Sequence, residues 1–394
     1  MATAGQPTII HISADFPDAV SQSKTRAISA LLDRTDDEFL HRVYSINRVG
    51  RSADAWLRPG KIWRVADDGR LATWKYAAPP NSVFLARSMR ALAREILHDI
   101  QAMQLNPQLV HAHKLSFEGL VARDVASTLG IPFALTLQGN TDQKLVRIRR
   151  DLRQKYRTVW HEASMAIAFS PWIRDWLSGP LGQREKPVEL IPCIPVADRI
   201  IEPRENPGTT IATAFNLDDW RNKNIATLIS ACARARDSQP ELRLEIAGGG
   251  SKASLEAVDR LIAENNATGF VQRIGRLSAG EIQAWMNSAC LFALPSRRES
   301  FGMVFIEALL AGTPVIYPRG AAIDGWFPTA PFARGVSAKS VDSVSRAIVE
   351  IATHQEAVRG ALRVWQAEQA ERFRETSIIT RYRKATNQAL APCI

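Results

Sequence analysis

Short runs of β-forming residues alternate with longer runs of helical periodicity along this chain, and that order limits its possible folds more than any other feature. A strand predicted at PTIIHIS (7–13) is followed by a helix at 24–34. The order returns with a strand at 107–113, a helix at 117–130 and a strand at 131–137. Such alternation is typical of βαβ units, whose parallel strands form a sheet covered by helices.

The alternation stops once, at a stretch crowded with proline and charge, IPCIPVADRIIEPRENPG (191–208). It then restarts, with predicted strands at 210–215, 242–250, 271–275 and 291–295 and predicted helices at 224–237, 254–266 and 281–290. A length of 394 residues also exceeds what one hydrophobic core usually organises. We therefore predict an α/β protein with two Rossmann-like, doubly wound domains, residues 1–195 and 196–371.

Ligands of doubly wound sheets bind beyond the carboxyl ends of the strands, so we expect the chemistry in strand-to-helix loops facing across a cleft. One such loop is AGGGSKA (247–253), whose glycines permit close approach to a phosphate or a sugar. The loop also fits a dinucleotide-binding pattern. However, the acidic residue needed about 20 positions further on is missing, and that segment carries Arg273 instead. Nicotinamide binding is therefore a weak alternative.

The segment SRRESFGMVFIEALLAGTPVIY (296–317) sets two carboxylates around the start of an apolar helix, which we predict over 301–312 with Gly312 closing it. Glu299 lies near the helix start, and Glu307 lies about two turns inside. A buried carboxylate is costly unless it is hydrogen-bonded. The hydroxyls of a ribose would satisfy Glu307, and a core Arg or Lys is the alternative partner. Open N–H groups around Ser300 to Gly302 would favour a phosphate or a sugar.

These segments resemble the E-x7-E region of the retaining GT-B glycosyltransferases, the "glycosyl transferases group 1" family (family four). The resemblance covers residues 208–327, including NLDDWRNKNIATLISA (216–231) and LRLEIAGGG (242–250). It implies that Glu299 contacts the donor sugar, that Glu307 holds the nucleotide ribose and that Lys223 neutralises the donor diphosphate. It also implies a donor-binding role for two loop segments. Their residues are Gly249, Gly250, Ser300, Phe301 and Gly302.

The sequence departs from the family pattern in three places. The family's usual Arg ahead of the Lys would fall near Asn216 or Leu217, so Arg221 is the candidate replacement. In the first domain, 107–142 resembles the sugar-facing strand pair of the family, but Gln138 stands where its familiar His would be. The first loop reads DFPDAVSQSK (15–24), with Lys24 at its end, and lacks the usual glycine pair.

His111 and His113 alternate along a strand and therefore share one face of it. They are either core histidines or residues that face the donor or acceptor, with His113 at the strand end the better candidate. A pair without a third ligand makes a poor metal site. Because the chain also contains no Asp-x-Asp, we expect no metal or other cofactor and assign catalysis to basic side chains and helix N-termini.

The formal charge of +10 arises mainly in the first half of the chain, most densely at KLVRIRRDLRQKYRTVW (144–160). Its apolar residues repeat at helical spacing, which predicts one amphipathic helix. The basic residues form either a solvated helix face or a contact for an anionic acceptor or lipid surface, through 144–157. Nothing resembles a nucleic-acid recognition module, so no nucleic-acid partner is expected.

Two features bear on the compartment. The chain opens without a basic region leading into a long apolar run, and no run of about 18 uncharged apolar residues occurs. The four cysteines, Cys193, Cys232, Cys290 and Cys393, lack Cys-x-x-Cys spacing and are expected to be reduced thiols. We expect a cytoplasmic protein, with peripheral contact at the inner membrane surface left open.

The resemblance implies a retaining, metal-independent transferase that moves a sugar from a nucleotide-diphosphate donor to a hydroxyl of a saccharide or lipid-linked saccharide. The first domain would hold the acceptor, and the helical segment 372–390 would pack back on that domain. Two alternatives stay open: a nucleotide-sugar-binding module without turnover, and an epimerase or hydrolase on the same scaffold. The donor sugar, the base, the acceptor, the linkage and the oligomeric state are not determined by the sequence.

Overall fold

A computed structural model describes residues 5–22, 24–50, 53–80 and 83–391 of the chain. The chain divides into two compact units. Unit 1 comprises Met1–Phe169, Ile173–Cys193 and Ile378–Ile394, and unit 2 comprises Ser170–Trp172 and Ile194–Ser377. The main division therefore falls between Cys193 and Ile194, inside the proline-rich stretch.

Unit 1 is built on an eight-stranded sheet in the order β3-β4-β2-β1-β5-β6-β7-β8. The strands are β1 (Thr8–Ser13), β2 (Leu40–Val49), β3 (Ile62–Asp67), β4 (Leu71–Ala77), β5 (Pro107–Ala112), β6 (Phe133–Leu137), β7 (Met165–Ala168) and β8 (Val188–Leu190). All neighbours pair in parallel except β3 and β4, which form an antiparallel edge. In the register of β1 and β5, His11 lies directly opposite His111.

Unit 2 is built on a six-stranded, fully parallel sheet in the order β11-β10-β9-β12-β13-β14. The strands are β9 (Thr210–Ala214), β10 (Arg243–Ala247), β11 (Val271–Gly275), β12 (Leu291–Ala293), β13 (Val315–Pro318) and β14 (Ala333–Val336). The strand order reverses between β9 and β12. Such a switch point opens a crevice beyond the carboxyl ends of the two strands, which is where doubly wound sheets bind ligands.

Helices connect these strands. They are α1 (Ala27–Asp33), α2 (Ala53–Leu57), α3 (Leu85–Ala102), α4 (Glu118–Leu129), α5 (Asn140–Ile148), α6 (Arg153–Glu162), α7 (Pro171–Leu181), α8 (Trp220–Lys223), α9 (Ile225–Ala235), α10 (Lys252–Glu264), α11 (Ala279–Ser288), α12 (Met303–Leu310), α13 (Val341–Thr353), α14 (Gln355–Gln369) and α15 (Glu375–Leu390). The predicted α/β fold class is confirmed. From Ile378 onward, α15 belongs to unit 1, where Tyr382 is fully buried.

Two of the predicted helices differ from the structure at points where the backbone leaves helical geometry. The basic segment 144–160 is not one helix, because α5 ends at Ile148, Arg149 leaves helical geometry at φ −98° and ψ 66°, and α6 begins at Arg153. The apolar helix of unit 2 begins at Met303 rather than at 301, because Gly302 adopts a left-handed φ of 72°. Gly312 does close that helix, with a φ of 78°.

No helix within the described ranges is both long enough and apolar enough to cross a membrane. Cys193, Cys232 and Cys290 are buried. Burial raises the pKa of Cys232 to about 12 and that of Cys290 to about 11, so these two thiols are protonated at neutral pH. Cys393 lies outside the described residues.

Candidate active site

Lys223 and Glu299 meet beyond the switch point of the unit 2 sheet. Lys223 is the last residue of α8, after β9, and Glu299 lies in the loop after β12. The Lys223 Nζ lies 2.6 Å from Glu299 Oε2, and both side chains are mostly covered, at 18% and 15% exposure. The structure therefore brings together two residues that the sequence places 76 positions apart.

Asn224 holds the two loops in place. It adopts a left-handed conformation, with φ 60°, which ends α8 and lets α9 begin at once. Its side-chain amide donates to the carbonyl oxygens of Pro295 and Ala338, at 3.0 and 2.6 Å. Asn is one of the few residues besides Gly that adopt this backbone conformation readily. A buried amide thus links the residue after Lys223 to Pro295, which lies in the loop that carries Glu299.

Of the arginines near these loops, Arg221 was predicted as a site residue and Arg276 was not. Arg221 is exposed, and its guanidinium lies over the Trp220 ring, 4.3 Å from the centroid, rather than joining the Lys223–Glu299 pair. Arg276, which follows β11, was missed. A methyl group at Gly249 would lie 3.2 Å from Arg276 Nε, so this guanidinium covers the glycine turn after β10. In the sequence, Arg276 is marked only by its place as a basic residue directly after the strand predicted at 271–275.

The glycine turn after β10 is required by close packing. Gly248 has a φ of 140°, and a Cβ there would lie 1.9 Å from the carbonyl oxygen of Phe215. A Cβ at Gly250 would lie 3.0 Å from Leu217 Cβ. No larger residue fits at Gly248, because a backbone oxygen cannot move aside as a side chain does. The turn thus packs against the loop that leads to Lys223.

Glu307 is buried in α12, with 7% of its surface exposed. Its Oε1 accepts the N–H of Val196 at 2.9 Å, and the N–H of Ala197 also donates to the carboxylate. Burial raises the pKa of Glu307, and the two backbone hydrogen bonds oppose that rise. Its partners are therefore backbone amides of the proline-rich stretch, not the core Arg or Lys considered from the sequence.

The three residues between Glu299 and α12 differ in their surroundings. Ser300 is half-buried, whereas Phe301 is 2% exposed and belongs to the core. A methyl group at Gly302 would lie 2.6 Å from the ring of Phe305 and 3.1 Å from Glu299 Cγ. Gly302 therefore turns the chain sharply just before the first open N–H groups of α12.

A chain of buried histidines crosses the unit 1 sheet. Thr35 Oγ1 donates to the carbonyl of Leu31, so it accepts from His41 Nε2 at 3.0 Å. His41 Nδ1 then accepts from His11 Nε2 at 2.9 Å, and His11 Nδ1 accepts from His113 Nε2 at 3.1 Å. We infer this direction because one hydroxyl has one proton to give. His113 Nδ1 is left with a lone pair and no hydrogen-bond partner among the described residues.

His111 lies beside this chain. Its Nε2 contacts Thr136 Oγ1 at 2.8 Å, and its Nδ1 lies 3.4 Å from the Tyr382 hydroxyl of α15. Burial lowers the pKa of His111 and of His41 to about 3, so both imidazoles are neutral at pH 7. The expected pair of histidines is therefore part of a larger set, which the sequence could not show because His11 and His41 come from neighbouring strands.

Three of these imidazoles could hold a metal ion. Nitrogens of His11, His111 and His113 lie within 4.8 Å of one another. Two zinc ligands at about 2.0–2.1 Å in tetrahedral geometry stand roughly 3.3 Å apart, close to the 3.1 Å between His11 and His113. The sequence predicted no third ligand, and His11 supplies one. The hydrogen-bond chain already satisfies both His11 nitrogens without an ion.

A second buried group surrounds the first loop of unit 1. Glu118 Oε1 accepts the N–H of Ala14 at 2.8 Å, and Lys114 Nζ lies 2.5 Å from Asp15. Burial raises the pKa of Glu118 to about 8. Lys114 and Glu118 were not predicted, although HAHKLSFE places both just after the histidine strand. They anchor the start of the loop that replaces the family's glycine pair.

Lys24 and Gln138 were both predicted to contact the acceptor or the donor sugar. Lys24 Nζ bonds Asp18 at 2.7 Å. Burial would raise the pKa of Asp18, but hydrogen bonds from Asn47, Lys24 and Ser45 lower it to about 2. Lys24 therefore holds the first loop together. Gln138 is buried after β6, and its Nε2 has no partner among the described residues.

Two sequence profiles of known protein families match this chain. The sequence profile described as Glycosyl transferases group 1 matches residues 212–320, which include Lys223, Gly249 and Glu299. The profile described as Glycosyltransferase Family 4 matches residues 41–194. The chain belongs to the group 1 glycosyltransferases. The predicted family and the GT-B fold class are thereby confirmed.

Among relatives of this group 1 glycosyltransferase, D-inositol 3-phosphate glycosyltransferase of Mycobacterium sp. (strain KMS) is 38% identical over 133 residues. That match covers 33% of this chain and 27% of the relative, so the chain spans about a quarter of the length of that relative.

Two solved structures share the fold across almost the whole chain. Sucrose-phosphate synthase from Thermosynechococcus elongatus has a TM-score of 0.68 at 17% identity, covering 97% of this chain and 99% of its own. HepE from Anabaena, in complex with UDP and glucose, has a TM-score of 0.64 at 13% identity, covering 97% and 99%.

Proposed function

We propose that this protein transfers a sugar from a nucleotide-diphosphate donor to a hydroxyl of a saccharide or lipid-linked saccharide, with retention of configuration. The observation that carries the proposal is the Lys223–Glu299 pair beyond the switch point. An ammonium there can neutralise a diphosphate, and a carboxylate beside it can accept hydrogen bonds from sugar hydroxyls.

The leaving diphosphate gains negative charge as the glycosidic bond breaks. Fixed cations and open backbone N–H groups, aimed at that charge, stabilise the transition state without a metal ion. Lys223, Arg276 and the first N–H groups of α12 are the groups we assign to this task. Arg276 takes the place that the sequence gave to Arg221, because it covers the glycine turn after β10.

The transfer needs no nucleophile from the protein. The bond from the anomeric carbon to the diphosphate oxygen breaks as the bond to the acceptor oxygen forms on the same face of the sugar. The acceptor's proton passes to the departing diphosphate. Glu299 would orient the sugar, and holding the reacting atoms in position lowers the entropic part of the activation barrier.

We assign Glu307 to the nucleotide ribose. A carboxylate can accept about four hydrogen bonds, so the amides of Val196 and Ala197 leave capacity for hydroxyls. Glu307→Ala should then weaken binding of a nucleotide diphosphate by about 1 to 3 kcal/mol in calorimetric titration. Unchanged affinity in a folded variant would limit Glu307 to tethering the proline-rich stretch.

On the acceptor side we assign His113 and Gln138 of unit 1. His113 offers a lone pair on Nδ1, and Gln138 offers an amide N–H, and neither has a partner in the described part of the chain. Together they supply one hydrogen-bond acceptor and one donor, and a sugar hydroxyl can pair with both because it donates and accepts. His111 is assigned to the core, since both its nitrogens have contacts.

Known proteins of this fold support the choice of ligands. HepE was crystallised with UDP and glucose, and the partial relative acts, by its name, on D-inositol 3-phosphate. We propose a nucleotide diphosphate of the same class here.

A panel of nucleotide sugars, each incubated with candidate saccharide acceptors, tests the proposal. Release of nucleotide diphosphate together with a glycosylated acceptor is the expected result. Binding without turnover would support a nucleotide-sugar-binding module instead. A sugar altered or released without any acceptor would indicate an epimerase or a hydrolase.

A further inference from the structure

Five basic residues of unit 1 converge on one surface pocket of about 600 Å³. Arg58 and Lys61 come from the turn after α2, and Arg87, Arg90 and Arg94 come from α3. The three α3 residues are spaced three and four apart, so they form one stripe along the helix. Among the residues that the structure describes, no acidic one lines the pocket.

These charges lie close together at the surface of unit 1. All five side chains are exposed, and no carboxylate among the described residues forms an ion pair with Arg58, Arg87, Arg90 or Arg94. The turn is packed tightly on α3, since a methyl group at Gly60 would lie 3.2 Å from Ala91 Cβ. Exposed like charges repel one another, so such a cluster is best explained by an anionic ligand.

Large apolar side chains stand exposed in the same two segments. Trp56 and Leu57, just before the turn, are 55% and 79% exposed. Phe84, one turn before Arg87, is 48% exposed, and Val83 is 36% exposed. A single exposed apolar residue is ordinary. Here four of them lie within the two segments that supply the cations, and Leu57 lines the pocket itself; we call these four residues the apolar rim.

We infer that this surface, residues 56–61 and 83–94, docks the protein on an anionic lipid bilayer. The arginines would bind lipid phosphates, and Trp56, Leu57 and Phe84 would enter the boundary between headgroups and acyl chains. Basic residues beside Trp, Phe and Leu are the combination that interfacial membrane segments use. A soluble anion would engage the cations only and leave the apolar rim exposed.

The segment 144–157, which the sequence favoured for this contact, fits it less well. Arg149 pairs with Asp151 at 2.5 Å, and Arg147 lies over the Trp176 ring at 5.8 Å. Of its apolar residues, Leu145 and Leu152 are buried in unit 1, and Ile148 is half exposed. Its charges are therefore partly engaged, and it offers one apolar residue to a bilayer.

Co-sedimentation of the full chain with vesicles tests the inference, and it does not depend on sugar transfer. Vesicles of phosphatidylcholine with about one-third phosphatidylglycerol should bind the protein, with affinity falling steeply as salt rises. Arg87→Gln/Arg90→Gln/Arg94→Gln should weaken that binding roughly 100-fold. The control Arg147→Gln/Arg150→Gln/Arg153→Gln removes the same charge and should change it little.

The apolar rim is tested by Trp56→Ser/Leu57→Ser, which keeps all five cations. This variant should bind more weakly than wild type even at low salt. Thermal unfolding should confirm that this variant and the two arginine triples are folded. Equal losses in the two arginine triples would overturn the site, because charge alone would explain them. Binding of inorganic phosphate or inositol hexakisphosphate at the pocket, with no binding to vesicles, would also overturn the lipid assignment.

Discussion

Lys223 is the residue on which the proposed chemistry depends most. Its ammonium lies in a crevice formed where the strand order reverses, and 82% of its side chain is shielded, as its 18% exposure implies. A charge in such a place acts more strongly than one on the surface, because less water screens it. Glu299 is its partner in the free protein, and the donor diphosphate would share the ammonium.

Lys223→Ala should lower kcat by about 10² to 10³, the usual effect of removing one transition-state donor. Lys223→Arg should recover part of that loss, since the planar guanidinium of Arg does not place its charge as the compact ammonium of Lys does. Arg221→Ala is the matched control and should lower kcat far less, because Arg221 stacks on Trp220. Steady-state kinetics with a donor from the panel measures all three. Near-normal kcat in Lys223→Ala would remove that residue from the site.

At the scale of single elements, the start of α12 depends on one glycine. Gly302 has a left-handed φ of 72°, and a Cβ added there would lie 2.6 Å from the ring of Phe305. Gly302→Ala should lower the free energy of unfolding by about 1 to 3 kcal/mol, from backbone strain alone. Gly280→Ala, in α11 with nothing within 4 Å, is the control. Urea unfolding of both variants measures the difference, and equal stability of the two would contradict the strain.

The strands of unit 1 make a second prediction at this scale. If Thr35 sets the direction of the histidine chain, His113 carries its proton on Nε2 and a lone pair on Nδ1. The ¹⁵N shifts of the imidazoles in histidine-labelled protein should report that tautomer. Thr35→Val should change the shifts of His41 and His11 first. A protonated Nδ1 on His113 in the wild type would reverse the chain and remove the proposed acceptor contact.

These elements also show why part of the site escaped sequence analysis. Lys223 and Glu299 were found because each lies in a recognisable local segment. His11 and Arg276 were missed because they meet their partners across neighbouring strands, and strand order is not written in local sequence. The helix predicted over 144–160 failed for a different reason. Its apolar residues keep helical spacing past Arg149, but the backbone leaves helical geometry at that residue.

For the whole molecule, the two-domain fold was predictable because alternation and the proline-rich break are global features of the sequence. The division at Cys193 lies inside that break. Family membership follows from motifs in both halves, at 41–194 and 212–320. The acceptor could not be predicted, because a residue that we propose to contact it, Gln138, departs from the family pattern.

The central claim is a metal-independent transfer with retention, and proton NMR of a reaction in excess EDTA tests it most directly. With an α-linked nucleotide sugar identified from the panel, the first-formed product should carry an α-linkage, read from its anomeric coupling, at the same rate with and without EDTA. A β-linked first product, or activity lost on chelation and restored by magnesium or manganese, would contradict the account.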